Sequence, residues 1–525
     1  MSEADSRQST WDDLDQKWDI VVIGGGITGA GIFNYAARKG LKVLLLEADD
    51  FAFGTSSRSS KLVHGGLRYL KNRQFDVVRE SVRERERLIS QAPGLVNKMS
   101  FVYPGYATYK KSHKEMAVGT LIYDLLVPKW EHSILKKDLV LKRDPIIRDI
   151  EMLGANQYFD ATVDDSRMVL RVLGDGSNHG GVAINYAKVT GLLKNADGDV
   201  VGVRAEDQSG DKPGSMIEIQ ARVVINATGP WSDIIRKHVD GGPRLRKLRG
   251  SHLLFSHERI PLSQSITMIH PRDHRALFIV PWEGTTFIGT TDLDQAGMNG
   301  EPRISAEEVD YLLEAANYML PGLKLNYEDI ISTISGLRPV IDSGAATPSQ
   351  ESRRHLVWEE NGLVTISGGK LTIFRVMAAD CLNFVSQRLP GNPHFDHHDP
   401  IFDPTPDKPG QTGLSDRTWY FLAGRHGKDT SELVTSSGAG TLSEIEPTTN
   451  LWAELTWSVK HNAVIHLDDL LLRRVRLGLY LKNGGMDQID RIKALVEPLL
   501  KWDERRWEEE IKRYKSIWSS YYYLP

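Results

Sequence analysis

Three glycines in the spacing G-x-G-x-x-G, within residues 24–29, have the pattern of a loop that binds phosphates. A β-branched run (19–23) precedes them, a run of helical periodicity (27–39) follows, and Glu47 ends a second apolar run. Such glycines permit a tight turn and let the backbone approach a pyrophosphate closely. The N-terminus of the following helix attracts the negative charge of the pyrophosphate, and the acid accepts hydrogen bonds from a ribose. This complete βαβ pattern predicts a dinucleotide site, with candidate residues Gly24, Gly25, Gly26, Gly29 and Glu47.

Residues 55–70 are rich first in hydroxyl groups and then in glycine, and they end in basic and aromatic residues. Small hydroxyls can bind phosphate and ribityl oxygens, and Gly65–Gly66 lets the chain pass close to a flat ring. Nicotinamide enzymes need no such loop there, and the apolar residues within the segment argue against a solvated linker. The segment therefore indicates a flavin, and it adds the candidates Thr55, Ser56, Ser57, Ser60, His64, Gly65, Gly66 and Leu67.

Together with these two segments, three later motifs resemble the FAD-dependent, respiratory glycerol-3-phosphate dehydrogenases. The motifs are V-I-N-A-T-G-P-W at 224–231, S-G-L-R-P at 335–339 and S-G-G-K-L-T at 367–372. The resemblance covers nearly all of the chain from about Lys17 onward. It implies FAD as the cofactor, and it adds as cofactor-binding residues Val189, Ala227, Thr228, Gly229, Gly369, Lys370, Leu371 and Thr372.

The implied reaction, oxidation of the C2 alcohol of a glycerol phosphate, needs a cationic cradle for the dianion, a base and a hydride acceptor. Arginine suits the cradle because its planar fork binds phosphate oxygens in pairs and stays charged. Arg338 and Arg353 match the family's phosphate-site positions, although the adjacent Arg354 leaves the register of Arg353 open. Arg68 and Tyr69 match positions beside the flavin that contact the substrate.

For the base, the resemblance favours His252, because it matches the family's active-site histidine and histidine titrates near neutral pH. His64 is the rival histidine, for which orienting the flavin ring is the favoured role. Lys370 could bond near flavin N5 or N1, where a positive charge would stabilise the reduced ring. The predicted catalytic residues are His252, Arg338 and Lys370, and the predicted substrate-binding residues are Arg68, Tyr69, His252, Arg338 and Arg353.

Composition sets the broad class of the protein. A chain of 525 residues with 40% apolar residues suits two or three domains. A net charge of −4 argues against a generic nucleic-acid binder. The single cysteine, Cys381, excludes a disulfide framework and the iron–sulfur module of an anaerobic relative. We expect Cys381 to pack in the core.

The expected fold is α/β, with a Rossmann-like FAD-binding domain, an antiparallel β-sheet that caps the substrate and a C-terminal all-helical domain. The predicted division is a disordered tail at 1–17, an FAD-binding domain at 18–97, 150–240 and 335–392, a cap at 98–149 and 241–334, a linker at 393–412, and the helical domain at 413–525. His397 and His398 lie in the linker with nearby aspartates, and we interpret them as solvated residues and predict no metal site.

The N-terminal segment has no apolar core typical of a signal peptide, and no run of 18 apolar residues predicts a membrane span. Residues 98–135, however, place basic and aromatic residues on both sides of an apolar stretch (116–127). This pattern suits an interfacial membrane anchor or a helix packed on the flavin domain. The resemblance favours contact with a membrane surface from one side.

The sequence thus predicts a glycerol-3-phosphate:quinone oxidoreductase on the cytoplasmic face of the cell membrane. It would convert sn-glycerol 3-phosphate to dihydroxyacetone phosphate, and the family implies a homodimer. Three alternatives stay open: an oxidase of the same family that makes hydrogen peroxide, an amine or amino-acid oxidase, and a non-catalytic flavin-binding assembly subunit. The resemblance implies an extra insertion in the cap of the family's oxidases, so the lack of a long polar insertion between residues 240 and 335 favours the dehydrogenase. The arginines suited to phosphate argue against an amine oxidase.

Overall fold

The computed structural model describes residues 3–66, 75–125, 131–209, 214–295, 297, 300–345, 351 and 354–525. Its strands are β1 (Trp18–Ile23), β2 (Val43–Leu46), β3 (Leu62–Val63), β4 (Val96–Tyr106), β5 (Ser133–Leu135), β6 (Met152–Val163), β7 (Val182–Ile184), β8 (Ala187–Lys194), β9 (Val200–Asp207), β10 (Met216–Asn226), β11 (Leu245–Ser256), β12 (Ser265–Ile269), β13 (Ala276–Trp282), β14 (Thr285–Gly289), β15 (Leu293–Asp294), β16 (Ile330–Ile341), β17 (His355–Glu360) and β18 (Leu363–Gly368).

The α-helices are α1 (Glu3–Asp12), α2 (Ile27–Arg38), α3 (Phe75–Gln91), α4 (Lys110–Leu125), α5 (Lys137–Arg143), α6 (Asp165–Ser177), α7 (Ser232–Arg236), α8 (Ala306–Met319), α9 (Phe374–Val385), α10 (Asp416–His426), α11 (Thr430–Ser436), α12 (Trp452–His461), α13 (Leu467–Asp469), α14 (Leu477–Tyr480), α15 (Ile489–Leu500) and α16 (Glu504–Tyr521). A π-helical turn, Leu470–Arg474, follows α13 directly. Among the described residues, none of these helices has the length and apolar character to cross a membrane.

The first sheet contains the predicted dinucleotide unit. Its strand order is β17-β18-β10-β1-β2-β7, and β1 runs parallel to both β2 and β10. The residues of β1 and β2 are almost entirely buried, because helices α2, α6 and α9 pack on the sheet. Strands β8 and β9 form a hairpin around Asp197-Gly198, and β9 pairs with β10. This arrangement brings the ends of β1, β2 and β10 to one edge of the sheet.

The second sheet has ten strands, in the order β15-β11-β14-β13-β12-β4-β6-β3, with β16 paired to β11 and β5 to β6. Its pairings are antiparallel except for the one between β12 and β4. Helix α8 covers part of it with apolar side chains. The α/β fold with an antiparallel cap is therefore confirmed. The predicted domain boundaries differ from those in the structure. Strand β6 lies in the predicted FAD-binding range 150–240, and β16 extends into the predicted range 335–392, but both strands belong to the second sheet.

The C-terminal region is helical, as predicted, and it packs on the second sheet and contacts the first domain, which contains the first sheet and its helices. Its apolar side chains share a core with Leu254 and Phe287 of the second sheet. Its arginines reach the first domain, where Arg474 binds the buried carboxylate of Asp50 and Arg476 binds that of Asp165.

Two segments differ from the prediction. The N-terminal tail, expected to be disordered, includes helix α1, and Trp11 and Leu14 are buried in the same core as β1. Large apolar side chains explain this, because burying each one contributes about 1.5–3 kcal/mol. The expected linker also packs on the protein, since Phe395, Ile401 and Phe402 are buried. Cys381 is buried in the core, as predicted.

Candidate active site

The glycine loop after β1 has the geometry that the sequence predicts. Gly24 adopts φ +110°, and a Cβ there would lie 2.7 Å from the Ala227 carbonyl oxygen. A Cβ at Gly29 would lie 1.9 Å from the Gly24 carbonyl oxygen. Only glycine therefore lets the loop pass between α2 and the end of β10.

The N-terminus of α2 meets the hydroxyl-rich loop. The N–H of Ile27, the first residue of this helix, donates to the Ser56 hydroxyl at 2.9 Å. The N–H of Gly25 donates to the Glu47 carboxylate at 2.6 Å. Burial raises the pKa of Glu47 to about 7. Backbone donors, the positive end of the helix dipole, a hydroxyl and an acid thus meet at one place.

The other hydroxyls of this loop have distinct partners. Thr55 donates to the Leu337 carbonyl on β16, and Ser57 is buried with its hydroxyl near the carbonyls of its own turn. Ser60 binds His252. Ser57 therefore fixes the loop from within, whereas Thr55, Ser56 and Ser60 join it to other elements of the site.

Residues 64–66 form hydrogen bonds with the motif at 367–372. The Thr372 hydroxyl accepts from the N–H of His64 and donates to its carbonyl, both at 3.2 Å. The Lys370 amine donates to the Gly65 carbonyl at 3.4 Å. The structure thus brings the predicted motif at 367–372 against the Gly65–Gly66 segment. Within that motif, Gly368 and Gly369 have positive φ, which lets the chain turn sharply before Leu371.

The remaining cofactor candidates lie near the same edge of the first sheet. The N–H of Ala227 donates to the Ile23 carbonyl, which joins the turn after β10 to the end of β1. Thr228 donates to Asn226, and Gly229 has φ +55°. Val189 is buried on β8, two residues after Ala187, whose N–H donates to the Glu47 carbonyl.

Arg338 lies on the second sheet at a position suited to binding an anion. Its guanidinium donates to Asp292 and to the Thr290 hydroxyl, both at 2.9 Å, and its side chain is 28% exposed. A Cβ at Gly250 would lie 2.1 Å from this guanidinium. Glycine at that position therefore lets the arginine lie across β11.

His252 stands on the same face of β11 as Gly250, two residues further along. It is buried, and its ring meets Phe287 edge to face. Its Nε2 lies 2.9 Å from the Ser60 hydroxyl. Burial, and after it the positive charges of Arg338 and Lys61, lower the pKa of His252 to about 3. The imidazole is therefore neutral at physiological pH.

Four candidates, Leu67, Arg68, Tyr69 and Arg353, lie outside the described residues. The adjacent Arg354 is exposed and forms an ion pair with Asp76. Among the candidates that the structure describes, His252 lies near Arg338, and Lys370 lies beside Gly65.

Sequence reasoning missed several residues that hold these side chains. Asp292 and Thr290 orient Arg338, and their T-T-D run directly after β14 is the only sequence signal for them. Tyr123 and Asp160 bind the N–H of Gly65, and neither lies in a recognisable motif. Lys61 is buried in an ion pair with Asp165, between the hydroxyl loop and α6.

These residues suit a flavin dinucleotide. The loop presents backbone N–H groups at the α2 N-terminus, and a Cβ at Gly26 would enter the space in front of Ser56, 3.1 Å from its hydroxyl. Glu47 adjoins that space, as ribose recognition requires. The Gly65–Gly66 backbone offers an edge without side chains, and Lys370 supplies a nearby positive charge.

Comparison with known proteins agrees with this geometry. The family described as FAD dependent oxidoreductase matches residues 19–375, and the C-terminal domain of alpha-glycerophosphate oxidase matches residues 383–507. The fold and the site thus define a flavin-dependent oxidoreductase with a helical C-terminal domain. The aerobic glycerol-3-phosphate dehydrogenase of Staphylococcus haemolyticus is 33% identical, over 87% of this chain and 86% of the relative. That of Staphylococcus aureus is 31% identical, over 95% and 94%. The chain therefore belongs to the family of the aerobic glycerol-3-phosphate dehydrogenases.

Solved structures show the same relationship. Glycerol-3-phosphate dehydrogenase from Bacillus halodurans, complexed with FAD, is 27% identical and superposes with a TM-score of 0.77 over 99% of this chain and 97% of that one. L-alpha-glycerophosphate oxidase from Mycoplasma pneumoniae is 15% identical, with a TM-score of 0.58 over 73% and 98%. The second similarity shows the fold alone.

Proposed function

We propose that this protein oxidises sn-glycerol 3-phosphate to dihydroxyacetone phosphate and passes the electrons to a membrane quinone. The names of the curated relatives support the substrate. The observation that carries the proposal is the placement of Arg338 and His252 on one face of the second sheet. Arg338 offers a group that binds a phosphate, and His252 offers a nitrogen that can accept a proton, and oxidation of a phosphorylated alcohol needs both.

Arg338 would bind the phosphate of the substrate. Its guanidinium is held on one side by Asp292 and Thr290, and a dianionic phosphate gains charge-assisted, paired hydrogen bonds from such a fork. Arg68, Tyr69 and Arg353 would complete the cradle by the resemblance. The carboxylate of Asp292 sets the direction of the fork and lowers its net charge before the substrate arrives.

His252 would receive the proton of the C2 hydroxyl. The pKa of about 3 leaves the imidazole neutral, with a ring nitrogen free of a proton, but it makes His252 a weaker base than the near-neutral titration of an ordinary histidine would give. A phosphate dianion bound at Arg338 would raise this pKa, because it would offset the positive charge that helps to lower it. The Ser60 hydroxyl is the partner of His252 and belongs to the cofactor loop, so it is placed to pass that proton from the substrate to Nε2.

The residues that would hold FAD are the glycine loop, Glu47, Ser56, the turn at 227–229 and the paired segments 64–66 and 369–372. When bound, FAD supplies the acceptor for the hydride that leaves C2. Lys370, beside the Gly65 carbonyl, would place its positive charge next to the ring.

We further propose that the protein attaches to the inner face of the cell membrane through a surface on the second sheet. Helices α4 and α5 and strand β5 all pack against β6 there. Exposed on these elements, or in the turn before β6, are Val118, Leu121, Ile134, Leu139, Ile150 and Leu153, and the exposed basic residues Lys136, Lys142 and Arg143 adjoin them. Apolar side chains beside cations suit an interface rich in anionic lipid. A homodimer is the family expectation.

Anaerobic spectroscopy tests the proposed function. Purified protein should show an oxidised-flavin band, and adding glycerol 3-phosphate without oxygen or quinone should bleach it rapidly. Adding a short-chain quinone should restore the colour faster than air does.

Faster recolouring in air, with release of hydrogen peroxide, would instead favour the oxidase. Bleaching by amino acids and not by glycerol 3-phosphate would favour an amine or amino-acid oxidase. A band that persists with every substrate would overturn the enzymatic assignment.

A further inference from the structure

A buried polar cluster adjoins the Gly65 segment and lies outside the recognised motifs. Tyr123 on α4 donates to the Asp160 carboxylate on β6 at 2.6 Å. Arg85 on α3 donates to the Tyr123 oxygen at 3.1 Å and to Asp160 at 2.7 Å. All three side chains are buried, at 2–5% exposure. Three separate elements thus meet at one hydrogen-bonded group.

This cluster ends on the backbone of the predicted flavin segment. The N–H of Gly65 donates to the Tyr123 oxygen at 2.9 Å and to Asp160 at 3.1 Å. A Cβ at Gly65 would lie 2.1 Å from the Tyr123 oxygen and 2.4 Å from Val82. The contact is therefore so close that only glycine fits, and the cluster determines how far the segment can move towards α4.

The carbonyl of the same residue faces the catalytic candidates. The Gly65 carbonyl accepts a hydrogen bond from the Lys370 amine. The backbone of Gly65 therefore connects the buried cluster, at its N–H, to Lys370, at its carbonyl. Burial, with the adjacent negative charge of Asp160, raises the pKa of Tyr123 well above its ordinary value. The phenol therefore stays protonated and keeps its hydrogen bond to Asp160. The charge of that aspartate is matched by Arg85.

We propose that Tyr123, Asp160 and Arg85 are positioning residues that set the place of the Gly65 backbone and, through it, of Lys370 beside the flavin. This inference rests on the proposed function. It assigns a role to α4, whose other side carries the exposed Val118 and Leu121. The phenol is the natural residue to change, since Tyr123→Phe removes one hydroxyl and keeps the ring.

The chain offers a matched control. Tyr158 packs edge to face on Tyr123, with ring centroids 6.5 Å apart, and its hydroxyl binds Thr267 instead of the cluster. Tyr158→Phe therefore removes an equally buried hydroxyl without touching Gly65. Both variants should bind FAD and should have similar thermal midpoints.

Hydrogen exchange of the holoenzyme, followed on a peptide that contains Gly65, measures the positioning directly. Exchange at this site should speed up about tenfold in Tyr123→Phe, because one of the two acceptors of the amide is lost, and should be unchanged in Tyr158→Phe. The kcat for glycerol 3-phosphate should also fall about tenfold in Tyr123→Phe while KM stays within about twofold, since Lys370 and not the phosphate cradle is displaced.

Equal exchange in wild type and Tyr123→Phe would overturn the positioning role, and so would an equal loss of kcat in both variants. If glycerol 3-phosphate fails to bleach even the wild type, the proposed function fails instead. The exchange comparison then still decides whether Tyr123 positions Gly65.

Discussion

The imidazole of His252 and the hydroxyl of Ser60 lie 2.9 Å apart, which joins the second sheet to the cofactor loop. Ser60 is only partly buried, whereas His252 is 2% exposed. The imidazole is thus held away from solvent, and a hydroxyl from the cofactor loop lies at its ring nitrogen. The proton transfer that we propose would therefore depend on both domains.

Replacing Ser60 with alanine should slow flavin reduction by glycerol 3-phosphate about tenfold, because His252 loses a hydrogen bond that orients its ring. Anaerobic stopped-flow absorbance measures this rate constant. Ser265→Ala is the control, since Ser265 is buried in the second sheet and its hydroxyl has no partner among the described residues. An unchanged rate constant in Ser60→Ala would remove this serine from the proton path.

Arg338 offers a test of the phosphate cradle that uses two substrates. Arg338→Ala should lower kcat/KM for glycerol 3-phosphate about 10- to 100-fold, because hydrogen bonds between charged groups contribute about 1.5–3 kcal/mol. Arg338→Lys should recover part of this loss, since it restores the charge without the fork. FAD should stay bound in both variants.

Glycerol, which lacks the phosphate, is the control for that experiment. Its slow turnover at high concentration should be similar in wild type and Arg338→Ala. Equal losses for both substrates would mean that Arg338 acts on the hydroxyl or on the fold and not on the phosphate.

The low pKa of His252 predicts a pH dependence of stability. The group has a pKa of about 3 in the folded protein against 6.5 ordinarily, so between these values the unfolded chain binds one more proton at this site. The stabilisation is therefore complete above about pH 6.5 and is lost as the pH falls towards 3, at about 1.4 kcal/mol per pH unit. The buried His426, whose pKa is lowered to about 4, acts in the same direction in every variant that retains it.

His252→Gln should remove this dependence. Between pH 7.5 and pH 5, the thermal midpoint of the wild type should fall about 2 °C further than that of the variant. His257→Gln, at an exposed position, should follow the wild type. Parallel curves for wild type and His252→Gln would show that His252 is not held neutral by the fold.

Local patterns predicted how the segments of the candidate cofactor site are placed. The glycine loop, Glu47 and the turn at 226–229 each follow a buried strand, and the ends of parallel strands meet at one edge of a sheet. The antiparallel cap and the helical C-terminal domain also follow from periodicity and from the resemblance. The glycine loop, Glu47 and the turn at 226–229 need only short-range information, because each of these motifs contains its own strand and turn.

Contacts between distant segments could not be predicted in the same way. Arg338 lies near His252 because of the β11–β16 register, which no local sequence pattern indicates. The register also places Gly250 against the Arg338 guanidinium, a contact that becomes visible only in the structure. Tyr123 reaches Gly65 from 58 residues away. The N-terminal tail was wrongly expected to be disordered because its composition is polar, and two apolar side chains outweighed that average.

The exposed apolar surface around β5 and β6 gives the last prediction. Ile134 is 68% exposed on β5, and Leu153 is 48% exposed on β6. These strands pair, with Ile134 opposite Asn156, three residues along β6 from Leu153, so the two exposed side chains lie in one region of the second sheet. If this surface enters the lipid interface, Ile134→Asn with Leu153→Asn should weaken vesicle binding at least tenfold, because each buried apolar side chain contributes about 1.5–3 kcal/mol.

Co-sedimentation with vesicles that contain anionic lipid measures this binding. Phe384→Asn is the matched control, because Phe384 is 51% exposed on α9 and lies outside that surface. High salt should weaken wild-type binding as well, since Lys136, Lys142 and Arg143 would contact the lipid headgroups. If the double variant sediments like the wild type while Phe384→Asn does not, the membrane-facing surface lies on the first domain.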